Sequence, residues 1–473
     1  MQPGTVDRFV SQTPVLMKSY TTDGKGPLPK RLSYARVKAT VDMAVEGKAG
    51  HPRVFIITGL RGVGKTTLLF QIMQDMHDGG WASDRLLYLP MDQALLGGKN
   101  IHDLVLEYER EVVREYIAKT EGKFAFFIDE AQFSPGWDLQ VKVLSDSMPN
   151  AIFLVSGSSA VQMDMSADLA RRALTHVLHP LSMLEQLLLS DRATIDPGVL
   201  DGFADCLFGS KNAEDLMGRY ATSSKPIAKV LREHGGLDPG AYERFLLEGG
   251  MPWPAVGCGR YQRTYDIVER IVEKDLPQLG EHDPKTLRAL PRILSLIAPS
   301  PDISLNSISN DLDSVGMTSI RRVLDTLVKS QLIFEVPRLG SLRSSGRGET
   351  RKYYASAGLA AAVIDTAGFD AKAHLGPLAE CAVASTLKRR IAQDPGSGLF
   401  FVPGKGQADL VLQHGKRRIV IEVGMGRKDD GFKQVMHSLS EAKADYGIIV
   451  SDAGGLEQRG KVVRVPMREF LCL

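Results

Sequence analysis

Several features that would classify a chain quickly are scarce or missing here. There are four cysteines in 473 residues, Cys206, Cys258, Cys381 and Cys472; none forms a CxxC pair and none has histidine at a ligand spacing. That excludes a disulfide framework and a cysteine-rich zinc site, and it suits a reducing compartment. No apolar run approaches the roughly 20 residues of a membrane span. The opening "MQPGTVDRFVSQ" has no signal-peptide pattern. The expectation is therefore a cytoplasmic protein with no membrane partner. The formal net charge is only +2, so any surface for a polyanion has to be a local one. Internal repeats and low-complexity tracts are absent as well.

What is present is the composition of an ordinary globular protein, 43% hydrophobic and 24% charged. A chain of 473 residues exceeds what one hydrophobic core supports, so two to four domains are expected. Residues 1–50, rich in Lys, Pro and Gly, read as an arm or linker ending in a short helix around "YARVKATVDMAVEG". From 51 to 195 apolar, β-branched runs ("RVFIITG", "RLLYLP", "KFAFFID", "AIFLVSG") alternate with helical patterns. This is the signature of a parallel sheet with helices on both faces.

Residues 196–282 read as helices with turn clusters between them, and residues 283–366 as three helices followed by a two-stranded wing, the winged-helix order. Residues 367–473 read as α-β-β-β-α-β.

The chemistry concentrates in "GLRGVGKT", Gly59 to Thr66, between a buried strand and a helix. Gly59, Gly62 and Gly64 let backbone N–H groups close around phosphates, with Thr67 in the same turn. Lys65 brings a charge to the β- and γ-phosphates, and the Thr66 hydroxyl is a Mg²⁺ ligand. "FAFFIDE" supplies Asp129 to hold the Mg²⁺ and Glu130 to orient the attacking water. ATP and Mg²⁺ are the cofactors this pattern implies. The strand end "VSGSS" offers Ser156 or Ser158 as a group that senses the γ-phosphate, or simply as loop chemistry. Arg171 and Arg172 in "LARRALTH" are either a finger reaching a neighbouring subunit's nucleotide or a solvated face.

The ordered set "FIITGLRGVGKTTLL", "FFIDEAQ", "FLVSGSSA", "HPLSMLE", "FLLEGGMP" and "DIVERIVEKDLP" resembles a prokaryotic AAA-type P-loop ATPase family that carries a C-terminal nuclease-like domain. The resemblance runs from about Val54 onward. It implies an α/β fold: an AAA+ type parallel-sheet ATPase core with a helical lid, a winged helix and a restriction-endonuclease-like α/β domain. It also implies ATP hydrolysis and a homo-oligomer, a ring such as a hexamer.

For DNA the candidates are Arg321 and Arg322 on the third helix of the winged unit, and Arg343, Arg347, Arg351 and Lys352 around the wing. The alternative is a protein-interaction module. The C-terminal unit resembles the restriction-endonuclease fold, which makes Glu380, Asp409 and Glu422 a second candidate Mg²⁺ site. The lysine expected two positions after the glutamate is Gly424, and Lys428, Lys433 or Gln434 would have to substitute. A degenerate fold is the leading expectation, a working nuclease the alternative. The functional expectation is an ATP-driven motor or remodeller on branched or duplex DNA. The alternatives are an ATP-gated nuclease and a slow switch ATPase that holds a protein partner.

Overall fold

The computed structural model describes residues 5–47, 50–94, 97–158, 165–252, 261–275, 282–312, 315–340, 349–392, 394, 396–404, 406–426 and 430–473. The chain divides into two compact units, Met1–His179 and Pro180–Leu473.

The first unit is built on five parallel strands: β1 Val54–Gly59, β2 Leu86–Pro90, β3 Phe124–Asp129, β4 Ala151–Gly157 and β5 Ala173–Leu178. Their order across the sheet is β2-β3-β4-β1-β5. The runs of β1 to β4 are largely apolar because both faces are covered, and every residue of each is buried. The edge strand β5 is only partly buried until its last residue, Leu178. Placing β4 between β1 and β3 leaves the ends of β1 and β3 on either side of the tip of β4. That topology creates the site.

Residues 5–47 form more structure than an arm. Helix α1, Thr5–Thr21, buries Val6, Phe9 and Thr13 on one stripe, and Val6 and Phe9 join the core that holds Ile56, Leu89, Ile128 and Phe153. A small hairpin (Thr22–Asp23 with Gly26–Pro27) leads to α2, Leu32–Val45, which buries Tyr34, Val37, Val41 and Ala44. Pro14 and the few large apolar side chains hide α1 in the sequence, but packing makes up for weak propensity. The phosphate-loop helix α3, Lys65–Asp78, and the helices α4, Ile101–Tyr108, and α5, Trp137–Ser147, complete the unit.

The second unit begins at Pro180, inside the range assigned to the ATPase core by sequence. Helices α6 Met183–Ser190, α7 Pro197–Gly209, α8 Ala213–Ser223, α9 Lys225–Glu233 and α10 Pro239–Glu248 all fall in this second unit, where α7 and α8 meet the C-terminal segment. Phe208 packs edge-on to Phe470, the Tyr446 hydroxyl donates to the Leu207 carbonyl at 2.6 Å, and Tyr220 donates to Glu469 at 2.6 Å. The unit continues with α11, Tyr261–Arg270, and the helices α12 Pro284–Ile297, α13 Leu305–Asp311 and α14 Met317–Lys329. An antiparallel ribbon follows, β6 Ile333–Pro337 with β7 Thr350–Tyr354.

After α15, Ala357–Thr366, and α16, Leu375–Ile391, comes a mixed sheet: β8 Ser397–Phe400, β9 Leu410–His414, β10 Arg417–Gly424, β11 Tyr446–Ser451, β12 Glu457–Arg459 and β13 Val462–Pro466. Helix α17, Asp430–Ala442, precedes β11. The order is β8-β9-β10-β11-β13-β12, two strands more than the sequence pattern suggested. Among the described residues no helix is long and apolar enough to cross a membrane, and Cys206, Cys381 and Cys472 are free and buried.

If α1 belongs to the core, Phe9→Ala should lower the stability of the first unit by about 3–4 kcal/mol. Urea denaturation measures this, and a loss below about 1 kcal/mol would show that α1 is a detachable arm.

Candidate nucleotide and acidic sites

Strand β1 ends at Gly59, where backbone crowding demands glycine. Its φ is +153°, and a Cβ there would stand 2.4 Å from the Leu178 carbonyl oxygen. Gly62 and Gly64 also have positive φ, and Gly64 caps α3 in the left-handed region. The loop therefore delivers the first N–H groups of α3, from Lys65, Thr66 and Thr67, to one place, as an anion cradle requires. Lys65 is 5% exposed, and its ammonium donates to the Gly59 and Leu60 carbonyls at 2.9 and 3.2 Å. Arg31, from the start of α2, braces the outside of the loop by donating to the Val63 and His179 carbonyls at 2.8 and 2.7 Å.

Asp129, at the end of β3, is the hub. Thr66 donates to one carboxylate oxygen at 2.8 Å, the Tyr88 hydroxyl to the same oxygen at 2.9 Å, and Ser156 to the other. Burial, reinforced by the charge of Glu130, pushes Asp129 above the ordinary carboxylate range, and the three hydroxyl donors pull it back down. Burial and Asp129 together raise the Tyr88 hydroxyl far above its usual value, so Tyr88 stays a donor.

Glu130 takes a left-handed backbone, φ +54°, which turns its side chain away from the strand direction. Gln132 donates to Glu130, and its amide oxygen accepts the Ser158 N–H at 3.4 Å. The sequence reading thus found Lys65, Thr66, Asp129, Glu130 and Ser156 in one place. It missed Tyr88, concealed in the apolar run "LLYLP", and Gln132, which only its position two residues after Glu130 would have flagged.

Arg171 and Arg172 lie elsewhere. They precede β5, at the opposite end of the sheet from the loop, about 20 Å away along a six-residue strand. Arg171 pairs with Asp168, and Arg172 with Asp146. Both pairs are exposed and therefore weak, so they are easily exchanged for another partner.

A family model described as an AAA domain matches residues 51–187, and one described as a domain of unknown function matches residues 240–370. Across nearly the whole length, the chain is 30% identical to the uncharacterized protein MJ1637 of Methanocaldococcus jannaschii, over 98% of this chain and 92% of that protein. The chain belongs to that protein's family. An uncharacterized protein of Haemophilus influenzae is 30% identical over 28% of this chain and 32% of its own length. Among solved structures, the Aeropyrum pernix ORC1 protein in complex with DNA aligns at 16% identity and a TM-score of 0.32, covering 75% of this chain and 96% of that one. That score is too low to mark a common overall fold. The AAA domain places the loop and Asp129 in a P-loop nucleotide-binding core.

The second unit departs from expectation at its candidate sites. Arg321 and Arg322 are exposed on α14, as a DNA contact requires. Arg343 and Arg347 fall outside the described residues. Arg351 and Lys352 turn inward. Strand alternation sends them to opposite faces, Arg351 partly buried beside Glu380 of α16 and Lys352 buried on the other side, so neither is presented to a phosphate. Lys352 is 5% exposed and donates to Thr350, and burial lowers its affinity for the proton. Arg351 donates to the Asp409 carbonyl at 2.6 Å and lies 3.6 Å from Glu380.

The three acids do not form one metal site. Glu380 accepts from Tyr353 at 2.6 Å, and Asp409 accepts the Val423 N–H at 2.8 Å. Glu422 is engaged instead by Gln434 of α17 at 3.0 Å. Among the described residues no group of three His, Cys, Asp or Glu side chains comes together as ligands. Gln434 does reach Glu422, as one substitution for the missing lysine required, but it brings no charge. Lys433 is exposed, and Lys428 lies outside the described residues.

Burial, and then the charge of Glu380, push Asp409 up to about 7. Its unfolded value is about 3.9, so between the two the folded chain holds more protons than the unfolded one. Stability should then fall as pH rises through that window, with the loss complete above it. Asp409→Asn should flatten the slope and stabilise the chain at alkaline pH, as read by urea denaturation at about pH 5 and about pH 8. An unchanged slope would remove Asp409 as its source.

Proposed function

We propose that this chain is an ATP-hydrolysing motor or remodeller that works on DNA, with its catalytic chemistry confined to the AAA domain. One observation carries the reading: Asp129 is held by Thr66, Tyr88 and Ser156 at the mouth of the phosphate loop, with Glu130 beside it. The glycine cradle, the N-terminal turn of α3 and this hydroxyl-bound carboxylate fit a Mg²⁺–ATP complex. Thr66 and Asp129 would hold the ion. When bound, it offsets charge on the β- and γ-phosphates.

Lys65 exchanges its two carbonyl partners for phosphate oxygens. Glu130 orients and polarises the attacking water, with Gln132 fixing its carboxylate. Ser156, bonded to Asp129, couples the state of the ion to β4, and Ser158 lies at the same strand end. Arg171 and Arg172, at the far end of the sheet, are suited to a neighbouring copy's nucleotide. This supports a homo-oligomeric ring.

DNA contact is assigned to Arg321 and Arg322 on α14 of the winged-helix unit. The C-terminal, restriction-endonuclease-like sheet serves binding or assembly rather than cutting, because Glu422 is held apart from Glu380 and Asp409 and Gly424 offers no charge. One observation favours a second reading, a switch ATPase that grips a protein: the inward turn of Arg351 and Lys352 leaves the ribbon with fewer outward cations.

Phosphate release measured on single-stranded, duplex, forked and four-way DNA separates the two. The motor reading expects stimulation by DNA. Lys65→Ala and Glu130→Gln should each cost about 10²–10⁴-fold in turnover, with Glu130→Gln still binding nucleotide. Slow hydrolysis indifferent to every DNA would favour the switch. Arg321→Ala combined with Arg322→Ala should reduce the salt dependence of duplex binding by a log–log slope of about 2. An unchanged slope removes α14 from the interface.

A further inference from the structure

Two sets of residues that the sequence assigns to different partners face one another. Arg351, from the ribbon strand β7, was a candidate for phosphate. Glu380 on α16 and Asp409 before β9 were candidates for a divalent cation.

We propose that Glu380 and Asp409 form a receptor for the Arg351 guanidinium, which supplies internally the positive charge that a metal supplies in an acidic nuclease centre and so latches the ribbon to the C-terminal sheet. Both polar contacts of the guanidinium fall on Nη1, 2.6 Å to the Asp409 carbonyl oxygen and 3.6 Å to the Glu380 carboxylate, and the group lies over the Phe401 ring at 5.1 Å from the centroid. Tyr353, two residues along the same strand, donates to Glu380 at 2.6 Å. The ribbon therefore contributes both a cation and a hydroxyl to one carboxylate.

The backbone continues the attachment. The Phe401 N–H donates to the Pro337 carbonyl at 3.1 Å, and the Leu339 N–H donates to the Phe401 carbonyl at 2.8 Å. Burial works against charge on Arg351, but Tyr353, Glu380 and Asp409 outweigh it and keep the guanidinium firmly protonated. The ion pair is one guanidinium to one carboxylate, that of Glu380. A divalent ion would bring a second cation into a cluster that is already compensated. A delocalised guanidinium against an aromatic ring is also a contact that lysine does not reproduce.

A double-mutant cycle on the full chain tests the latch. Removing the cation strands a buried carboxylate, so Arg351→Met should lower the melting temperature by roughly 5–10 °C. Adding Glu380→Gln to Arg351→Met should then recover about half of that loss or more, because the stranded charge is gone. Melting losses that simply add would overturn the latch. Should Arg351→Met fail to fold, the Arg351→Met/Glu380→Gln double variant is still expected to fold, and a double variant that also fails while Glu380→Gln alone folds would overturn the latch. Independently, Mn²⁺ titration followed by electron paramagnetic resonance compares nucleotide-free wild type with Glu380→Gln. Equal binding is expected, and an equivalent of Mn²⁺ present in wild type and lost in Glu380→Gln would overturn the proposal.

Discussion

A carboxylate almost closed off from water is costly unless hydrogen bonds replace its hydration, and Asp129 is such a group. Its three donors come from three different elements: Thr66 from the first turn of α3, Tyr88 from β2 and Ser156 from β4. Satisfying one carboxylate therefore registers the phosphate loop, the second strand and the inserted strand against the end of β3. The β2-β3-β4-β1-β5 order is what brings those elements within reach. Burial makes the carboxylate reluctant to charge, and the donors counter that, leaving a group whose ionisation responds to a nearby cation. The same arrangement that holds the sheet edge together prepares it for nucleotide chemistry.

The second unit solves a similar problem differently. Glu380 and Asp409 are also largely buried acids, but a guanidinium from their own unit pairs with the Glu380 carboxylate and ties down the Asp409 backbone. Whether a buried carboxylate serves chemistry or architecture depends on where its balancing charge comes from. At Asp129 the protein supplies neutral hydroxyls, which in the proposed function leaves the cation to a ligand. At Glu380 the protein supplies the cation itself. Gly424, which drew attention as a missing lysine, fits the second solution. A side chain there would meet only ordinary contacts with Ser451 and Ile449, so space is not what excludes a lysine.

Much of the first unit was legible because its signals are local. Buried parallel strands are continuous apolar runs, and the "GLRGVGKT" loop and "FFIDE" strand end carry their chemistry at fixed offsets. Tyr88 was not legible, since a tyrosine in an apolar strand looks like core until a neighbouring strand presents its carboxylate. Helix α1 was obscured by Pro14 and by an apolar stripe that only packing makes sufficient. In the second unit, period-2 alternation says that Arg351 and Tyr353 share a face but not what covers it, and an arginine beside a wing was read as facing solvent. Helices α7–α10 lie in the range read as a lid from its order along the chain, and what that order does not carry is the pairing of α7 and α8 with segments more than 200 residues later. Long-range pairing of that kind leaves no local trace.

The central claim is that the chain has one centre that does chemistry, at Asp129, and a second acidic cluster that does not. It is tested most directly by following phosphate release and nicking of supercoiled plasmid on the same preparation with ATP and Mg²⁺ or Mn²⁺. The account predicts phosphate release that depends on Lys65 while the plasmid stays intact. Nicking that disappears in Asp409→Asn but survives in Lys65→Ala would contradict it.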